Sequence, residues 1–265
     1  MPARNVSNGR RKRRHWLAAV LLALSVTTAL MGCRTCAGPV HVREESALGT
    51  SSAEGNRELV VLLHGMKRTG RSMDKMAHAL REAGYDTVVV DYPSRWSVHE
   101  TTTNVFAALS PLTTNAPRVH FETHSLGGIL VRDAFRDAPP PNLGRVVMLG
   151  PPNRGCEHID HFSWLPFFGA IWGTPARELG TSPDSFPNRL PPVNFDCAVI
   201  AGTKHGLLGC FLPSPNDGKV TVSNTQAEGI SEILSLPVTH TWMMRDDAVI
   251  SSTLLFLRTG YFPLP

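Results

Sequence analysis

Arg118-Val119-His120-Phe121-Glu122-Thr123-His124-Ser125-Leu126-Gly127-Gly128 decides the fold of this chain. Its first part reads as a strand. From Gly127 to Phe135 the residues Ile129, Leu130 and Val131 continue as a helix, so Ser125 falls on the turn between the two. A serine on so sharp a bend projects its hydroxyl above the sheet, and small neighbours such as Gly127 make the bend possible. A hydroxyl is a weak nucleophile at neutral pH, so it needs a base, a carboxylate that orients the base, and donors aimed at a developing oxyanion. The plain alternative for a serine at a helix start is a cap.

Outward from that turn the sequence alternates regularly. Leu59 to Leu63 is a continuous apolar run suited to a strand buried on both faces, and Met73, Met76, Ala77 and Leu80 then repeat at helical spacing up to Gly84. Thr87 to Val90, Val119 to Thr123 and Val146 to Leu149 read as further strands, with a helical stretch around Val105 to Leu109 between the first two. Val199-Ile200 and Ile233-Leu234 extend the strand series, and Val249 to Leu257 ends the chain as an apolar helix. Such alternation predicts an α/β fold, a mostly parallel sheet with helices on both faces, across residues 58–265. Residues 157–195 break the rhythm with Phe162, Trp164, Phe167, Phe168 and Trp172 among prolines and glycines. An insertion after a parallel strand lies at the sheet edge where ligands bind, so this one is a candidate lid.

Several separated segments, taken in order, resemble the α/β-hydrolase superfamily and its small bacterial lipases and esterases, over about residues 58–262. They are Val60-Val61-Leu62-Leu63-His64-Gly65-Met66, Thr123-His124-Ser125-Leu126-Gly127-Gly128, Leu149-Gly150-Pro151-Pro152-Asn153-Arg154-Gly155, Asn216-Asp217-Gly218-Lys219-Val220 and Thr239-His240-Thr241. The resemblance implies an α/β-hydrolase fold with Ser125 as nucleophile, Asp217 as orienting acid and His240 as general base. It also implies that the backbone N–H groups of Met66 and Leu126 form an oxyanion hole. The order Ser, Asp, His along the chain agrees with that superfamily. Two positions depart from its pattern: Thr123 stands where glycine is usual, and Glu122 puts a carboxylate on a strand position that is usually apolar and would require a partner.

Each role has a rival. Asp217-Gly218 is a turn dipeptide whatever its function, and Asp196 and Asp184 are alternative acids. His64 is expected to shape the loop beside the oxyanion hole, and Arg132 to join a structural ion pair. Cys156-Glu157-His158-Ile159-Asp160-His161 concentrates metal-ligand types, but no second half with ligand spacing follows, so no metal is expected. The chemistry calls for no organic cofactor either.

Residues 1–32 hold six of the 26 basic residues and none of the 22 acidic ones, so the formal charge falls from +4 to −2 beyond them. The basic balance therefore belongs to the leader, and no basic patch points to nucleic acid. Arg10 to Arg14 followed by the apolar run from Trp16 to Leu24 has the layout of an export signal, and Leu30-Met31-Gly32-Cys33 resembles a bacterial lipoprotein signal. Cys33 is then the lipidated residue, residues 33–57 a flexible tether, and the protein an exported, membrane-anchored lipoprotein of the cell envelope; a secreted or periplasmic form is the alternative. In an oxidising compartment Cys197 and Cys210, flanking one strand, are the expected disulfide, with Cys156 a free buried thiol.

These features favour a carboxylic-ester hydrolase acting on an ester or lipid substrate. The same three residues would also serve an amidase, a thioesterase or a polysaccharide deacylase, because specificity lies in the pocket. A non-catalytic envelope lipoprotein of the same fold has no need of all three. The anchor itself is testable: Cys33→Ser is expected to abolish acylation, and mass spectrometry of the mature N-terminus checks it. An unmodified Cys33 would mean a secreted protein or one held by an uncleaved apolar segment.

Overall fold

The computed structural model describes residues 38–47, 57–164, 168 and 172–262. The export segment 1–32, Cys33 and Cys36 lie outside the described residues. Seven strands form one sheet in the order β1-β3-β2-β4-β5-β6-β7. They are β1 His41–Glu45, β2 Leu59–Leu63, β3 Asp86–Asp91, β4 Val119–His124, β5 Leu143–Leu149, β6 Cys197–Gly202 and β7 Glu232–Leu236. All neighbours run parallel except β1, which pairs antiparallel with β3 from His41 opposite Asp91 to Glu45 opposite Thr87.

Strand β1 corrects the expectation of a tether over residues 33–57. Its burial alternates poorly and its sequence, His-Val-Arg-Glu-Glu, carries little apolar signal. What holds it is β3: the ladder satisfies an edge that would otherwise expose unpaired backbone groups, and Arg81 Nη1 reaches Glu45 at 2.6 Å.

Side chains of the central strands point alternately to two apolar layers. Val61, Leu63, Val119 and Phe121 face helices α2 Val98–Thr113 and α3 Leu126–Ala134, with Val105, Leu109, Ile129 and Leu130. Val60, Leu62 and Val147 face helices α1 Asp74–Glu82 and α6 Asp247–Thr259, with Met76, Leu80, Val249 and Phe256. Both layers are shielded from water, which is why β2 and β6 read as continuous apolar runs rather than alternating ones.

The insertion over 157–195 holds two short helices, α4 Glu157–Phe162 and α5 Pro175–Glu178, and the 3-10 turn Pro187–Arg189. Ile159, Phe168 and Leu179 are buried in the core while Trp164 is 75% exposed, so the described part of the lid candidate forms a wall packed on the core. Arg132 ties this wall down. Its expected ion pair is not formed: the guanidinium donates to the Asn153 carbonyl at 3.0 Å and to those of Leu190 and Pro191 at 3.4 and 3.3 Å. Four converging backbone and amide oxygens engage Nη1 and Nη2 without a carboxylate, while the buried Nε–H is left without a partner.

The expected Cys197–Cys210 disulfide is absent; both are free thiols. Cys197 opens β6 and Cys210 lies in the 3-10 turn Leu207–Phe211 beyond its far end. A strand of that length separates its ends by roughly 16–20 Å, against the roughly 4.4–6.8 Å between Cα atoms that a disulfide spans. Cys156 is a buried thiol as expected, donating to the Lys219 carbonyl at 3.2 Å.

Glu122 is the exception within the core. It is fully buried, sits in register between Leu62 and Val147, and neither carboxyl oxygen has a hydrogen-bond partner. The partner its position calls for is missing, and desolvation instead lifts its pKa from 4.5 to about 8, so the group is a neutral acid at neutral pH. Between those values the folded protein keeps a proton that the unfolded chain has lost, so stability falls as pH rises through that window. Glu122→Gln is expected to gain thermal stability over the wild type as pH is raised from 5 to 8, by up to about 1.4 kcal/mol per pH unit. A difference in Tm that stays constant across that range would show Glu122 ionised in the fold.

Candidate active site

The residues that meet at the site all follow the C-terminal ends of parallel strands, where the sheet leaves backbone groups and loops open to a ligand. Ser125 comes after β4 and adopts φ 53° and ψ −115°, one of two non-glycine residues with positive φ among the described residues. Such a conformation costs about 1–3 kcal/mol and persists only where its surroundings over-determine it. Here the Ser125 N–H donates to the Leu149 carbonyl at 2.9 Å, and the Gly128 N–H returns to the Ser125 carbonyl at 3.1 Å. A Cβ on Gly127 would lie 2.7 Å from the Leu63 carbonyl oxygen, so helix α3 can start against β2 only without a side chain there. Thr123 raises no such conflict, since its hydroxyl donates to the Val147 carbonyl at 3.3 Å.

His240 lies on the loop after β7. Its Nε2 accepts from Ser125 Oγ at 3.0 Å, and its Nδ1–H donates to Asp217 Oδ2 at 2.6 Å. Asp217 and His240 are 2% and 3% exposed, so the pair works away from bulk water. The turn 216–221 fixes the acid: Asp217 Oδ1 accepts from the N–H groups of Lys219 and Val220 at 2.9 and 2.8 Å, and the His240 N–H donates to the Asp217 carbonyl at 2.9 Å. Gly150, with φ 53°, passes beside this bond. A Cβ there would sit 2.9 Å from Asp217 Oδ2 and 3.1 Å from His240 Nδ1.

The rival acids are elsewhere. Asp196 pairs with Arg145 at the opposite end of β6, and Asp184 is exposed on the insertion. The ligand-rich run after Gly155 is spent on local bonds: Glu157 accepts from Thr221, Asp160 from Thr181, and His158 Nε2–H donates to the Gly218 carbonyl. No group of three metal-ligating side chains occurs among the described residues.

The loop after β2 carries Met66. Its N–H and that of Leu126, the first residue of α3, donate to no described protein group, which leaves both open beside Ser125. His64 sets this loop. Its ring is fully buried and stacks on Tyr92 at 4.0 Å, its Nδ1–H donates to the Gly65 carbonyl at 2.8 Å, and its Nε2 accepts from the Tyr92 N–H at 3.3 Å. The Tyr92 hydroxyl also donates to the His64 carbonyl. Desolvation lowers the His64 pKa to about 4, so the ring is neutral and acts as a strut, as its place in the sequence suggested.

His124 has a role that its place before the serine does not disclose. Its Nε2–H donates to the carbonyl of His240 at 2.9 Å, with the two rings 4.8 Å apart. Burial and the neighbouring His240 hold it well below the usual histidine range. A neutral ring under the serine thus anchors the backbone of the histidine above it. Arg68 makes a second tie, from Nη2 to the carbonyl of Thr241 at 2.7 Å, joining the Met66 loop to the His240 loop. Neither contact leaves a sequence signal beyond the residue types themselves.

No protein-family model matches this sequence, and no curated protein matches it. Solved structures do. The mature form of the Bacillus licheniformis lipase BlEst2 is 17% identical with a TM-score of 0.67, over 83% of this chain and 99% of that one. The esterase EaEST from Exiguobacterium antarcticum is 13% identical with a TM-score of 0.59, over 83% and 96%. A bromoperoxidase from Bacillus anthracis is 14% identical with a TM-score of 0.55, over 82% and 94%. The likeness extends along nearly the whole of each of these proteins, and it coincides with a serine elbow at the end of a central parallel strand and an acid and a histidine on later loops of the same sheet edge: this chain has the α/β-hydrolase fold.

Proposed function

We propose that the protein is a serine hydrolase of carboxylic esters, lipase- or esterase-like, with Ser125 as nucleophile, His240 as general base and Asp217 as orienting acid. The observation that carries this reading is the line Ser125 Oγ to His240 Nε2 at 3.0 Å and His240 Nδ1 to Asp217 Oδ2 at 2.6 Å, beside two unpartnered N–H groups. His240 Nε2 takes the Ser125 proton as Oγ bonds to the ester carbonyl carbon. The carbonyl electron pair moves onto oxygen, where the Met66 and Leu126 N–H groups hold it. Collapse of that intermediate breaks the bond to the alcohol oxygen, which receives the proton from His240 and leaves an acyl-serine. Water, deprotonated by His240, attacks the acyl-serine by the same route, and the acid departs as Ser125 recovers its proton. Asp217 keeps the Nδ1–H tautomer and stabilises the imidazolium in both halves.

The apolar side chains of the described part of the 157–195 insertion, among them Ile159, Phe168 and Leu179 with Trp164 exposed, support an acyl chain or lipid as the group bound. The exported lipoprotein form, acylated at Cys33, belongs to the same proposal and would keep the enzyme at the envelope near such substrates.

Ser125→Ala is expected to lower turnover of p-nitrophenyl esters by about a million-fold and Asp217→Asn by about ten-thousand-fold, each with an unchanged circular-dichroism spectrum. Hydrolysis by folded Ser125→Ala near the wild-type rate would refute the reading. Gly150→Ala should reduce turnover while leaving KM within a few-fold, because the added methyl group forces apart Asp217 and His240 rather than the substrate pocket; wild-type turnover in this variant would mean that the Asp217–His240 contact is dispensable.

A further inference from the structure

Two arginines gather on one exposed indole at the rim of the site. Trp242, two residues beyond His240, is 56% exposed. The Arg68 Cζ lies 5.3 Å from its ring centroid and the Arg245 Cζ 6.0 Å. Each contact suits a guanidinium over an aromatic face, but together they bring two like charges to one ring. Arg245 is the second-ranked reason, after burial, that the Arg68 guanidinium gives up its proton more readily than usual.

No carboxylate among the described residues relieves this repulsion. The acids nearest in sequence are engaged: Asp246 Oδ1 accepts from the Ala248 and Val249 N–H groups as the cap of α6, and Asp247 pairs with Lys75 at 2.6 Å. Arg68 uses one nitrogen on the Thr241 carbonyl, and among the described residues neither its guanidinium nor that of Arg245 meets a carboxylate. Beyond residue 32 the chain is formally negative, so two cations without a carboxylate on one ring are a local feature and not a consequence of overall charge.

The position is informative as well. Arg68 bonds to the carbonyl next to His240, the residue that delivers a proton to the leaving oxygen in the proposed reaction. Its charge is also one of the lesser influences that, after burial and His240, hold His124 below the usual histidine range. The pair therefore stands beside the His240 loop, next to the residue that hands a proton to the departing alcohol in the proposed reaction.

We propose that Arg68 and Arg245, held on Trp242, form a subsite for a phosphate group on the alcohol portion of the ester, an inference that rests on the hydrolase reading above. A guanidinium presents donors in a fork that matches phosphate oxygens, and a second cation on the same ring compensates the remaining charge. Phosphate would in turn relieve the repulsion that the protein leaves unbalanced.

The test compares kcat/KM for 1-butyryl-glycerol 3-phosphate with that for monobutyrin, both followed by butyrate release. Wild-type protein is expected to favour the phosphorylated ester by about tenfold or more at low salt, one charge-assisted contact or better. That preference should decline with added sodium chloride and fall to about one in the Arg68→Gln, Arg245→Gln double variant. Arg245→Gln alone, an exposed change with no backbone acceptor to lose, should reduce it part-way. Because a ratio is read, any general loss of turnover cancels. A preference seen with these soluble esters assigns a soluble phosphate ester. One seen only when phosphatidic acid is compared with diacylglycerol of the same acyl chains, each carried in Triton X-100 micelles, assigns a lipid headgroup. Equal rates in both comparisons, or a preference that survives the double variant, would overturn the subsite. Should the wild type hydrolyse neither ester, the hydrolase reading fails separately, and calorimetric titration of glycerol 3-phosphate then decides: binding that weakens in Arg245→Gln supports the subsite and no binding refutes it.

Discussion

The site depends on Ser125 being held at positive φ between β4 and α3. That backbone geometry lifts the hydroxyl out of the sheet and points the open N–H of Leu126 toward the same space. It is a strained conformation, and what maintains it is the sheet on either side: a hydrogen bond to the end of β5 and the close passage of Gly127 over β2. Two fully buried apolar layers make the sheet stiff enough to support this.

From the elbow, the remaining constraints are of one kind: each functional side chain is fixed by a second group that does no chemistry. Asp217 is pinned by two backbone donors, His240 by the carboxylate on one side and by His124 beneath its backbone, and the Met66 loop by His64 stacked on Tyr92. The histidines divide by environment. His64 and His124 are buried and neutral, which lets them act as directional hydrogen-bonding struts, whereas His240 faces both a carboxylate and a hydroxyl. Binding energy of an ester can then be spent on the transition state and not on assembling the site.

Most of this arrangement was legible in the sequence because it is written in short, local patterns. Six of the strands announce themselves as apolar, β-branched runs, and a serine between a strand and a helix specifies its own turn. The order of Ser125, Asp217 and His240 is likewise a linear property. What stayed hidden is non-local. β1 has no apolar pattern and exists only because β3 offers an edge, and the Arg132 clamp takes three carbonyls from two loops far apart in sequence. The expected Cys197–Cys210 bridge failed because flanking a strand in sequence means lying at its opposite ends in space. Glu122 shows the converse case: its misfit was visible as a charge in an apolar run, yet the outcome, a neutral acid without a partner, depends on the packing around it.

The account stands most directly on the nucleophilicity of Ser125 and its dependence on His240. The decisive measurement is the rate of covalent labelling by a fluorophosphonate, with the modified residue located by peptide mass spectrometry. Labelling confined to Ser125, and slowed by several powers of ten when His240 is replaced by alanine, is the predicted result. Labelling at another residue, or at Ser125 with an unchanged rate in the His240 variant, would contradict it.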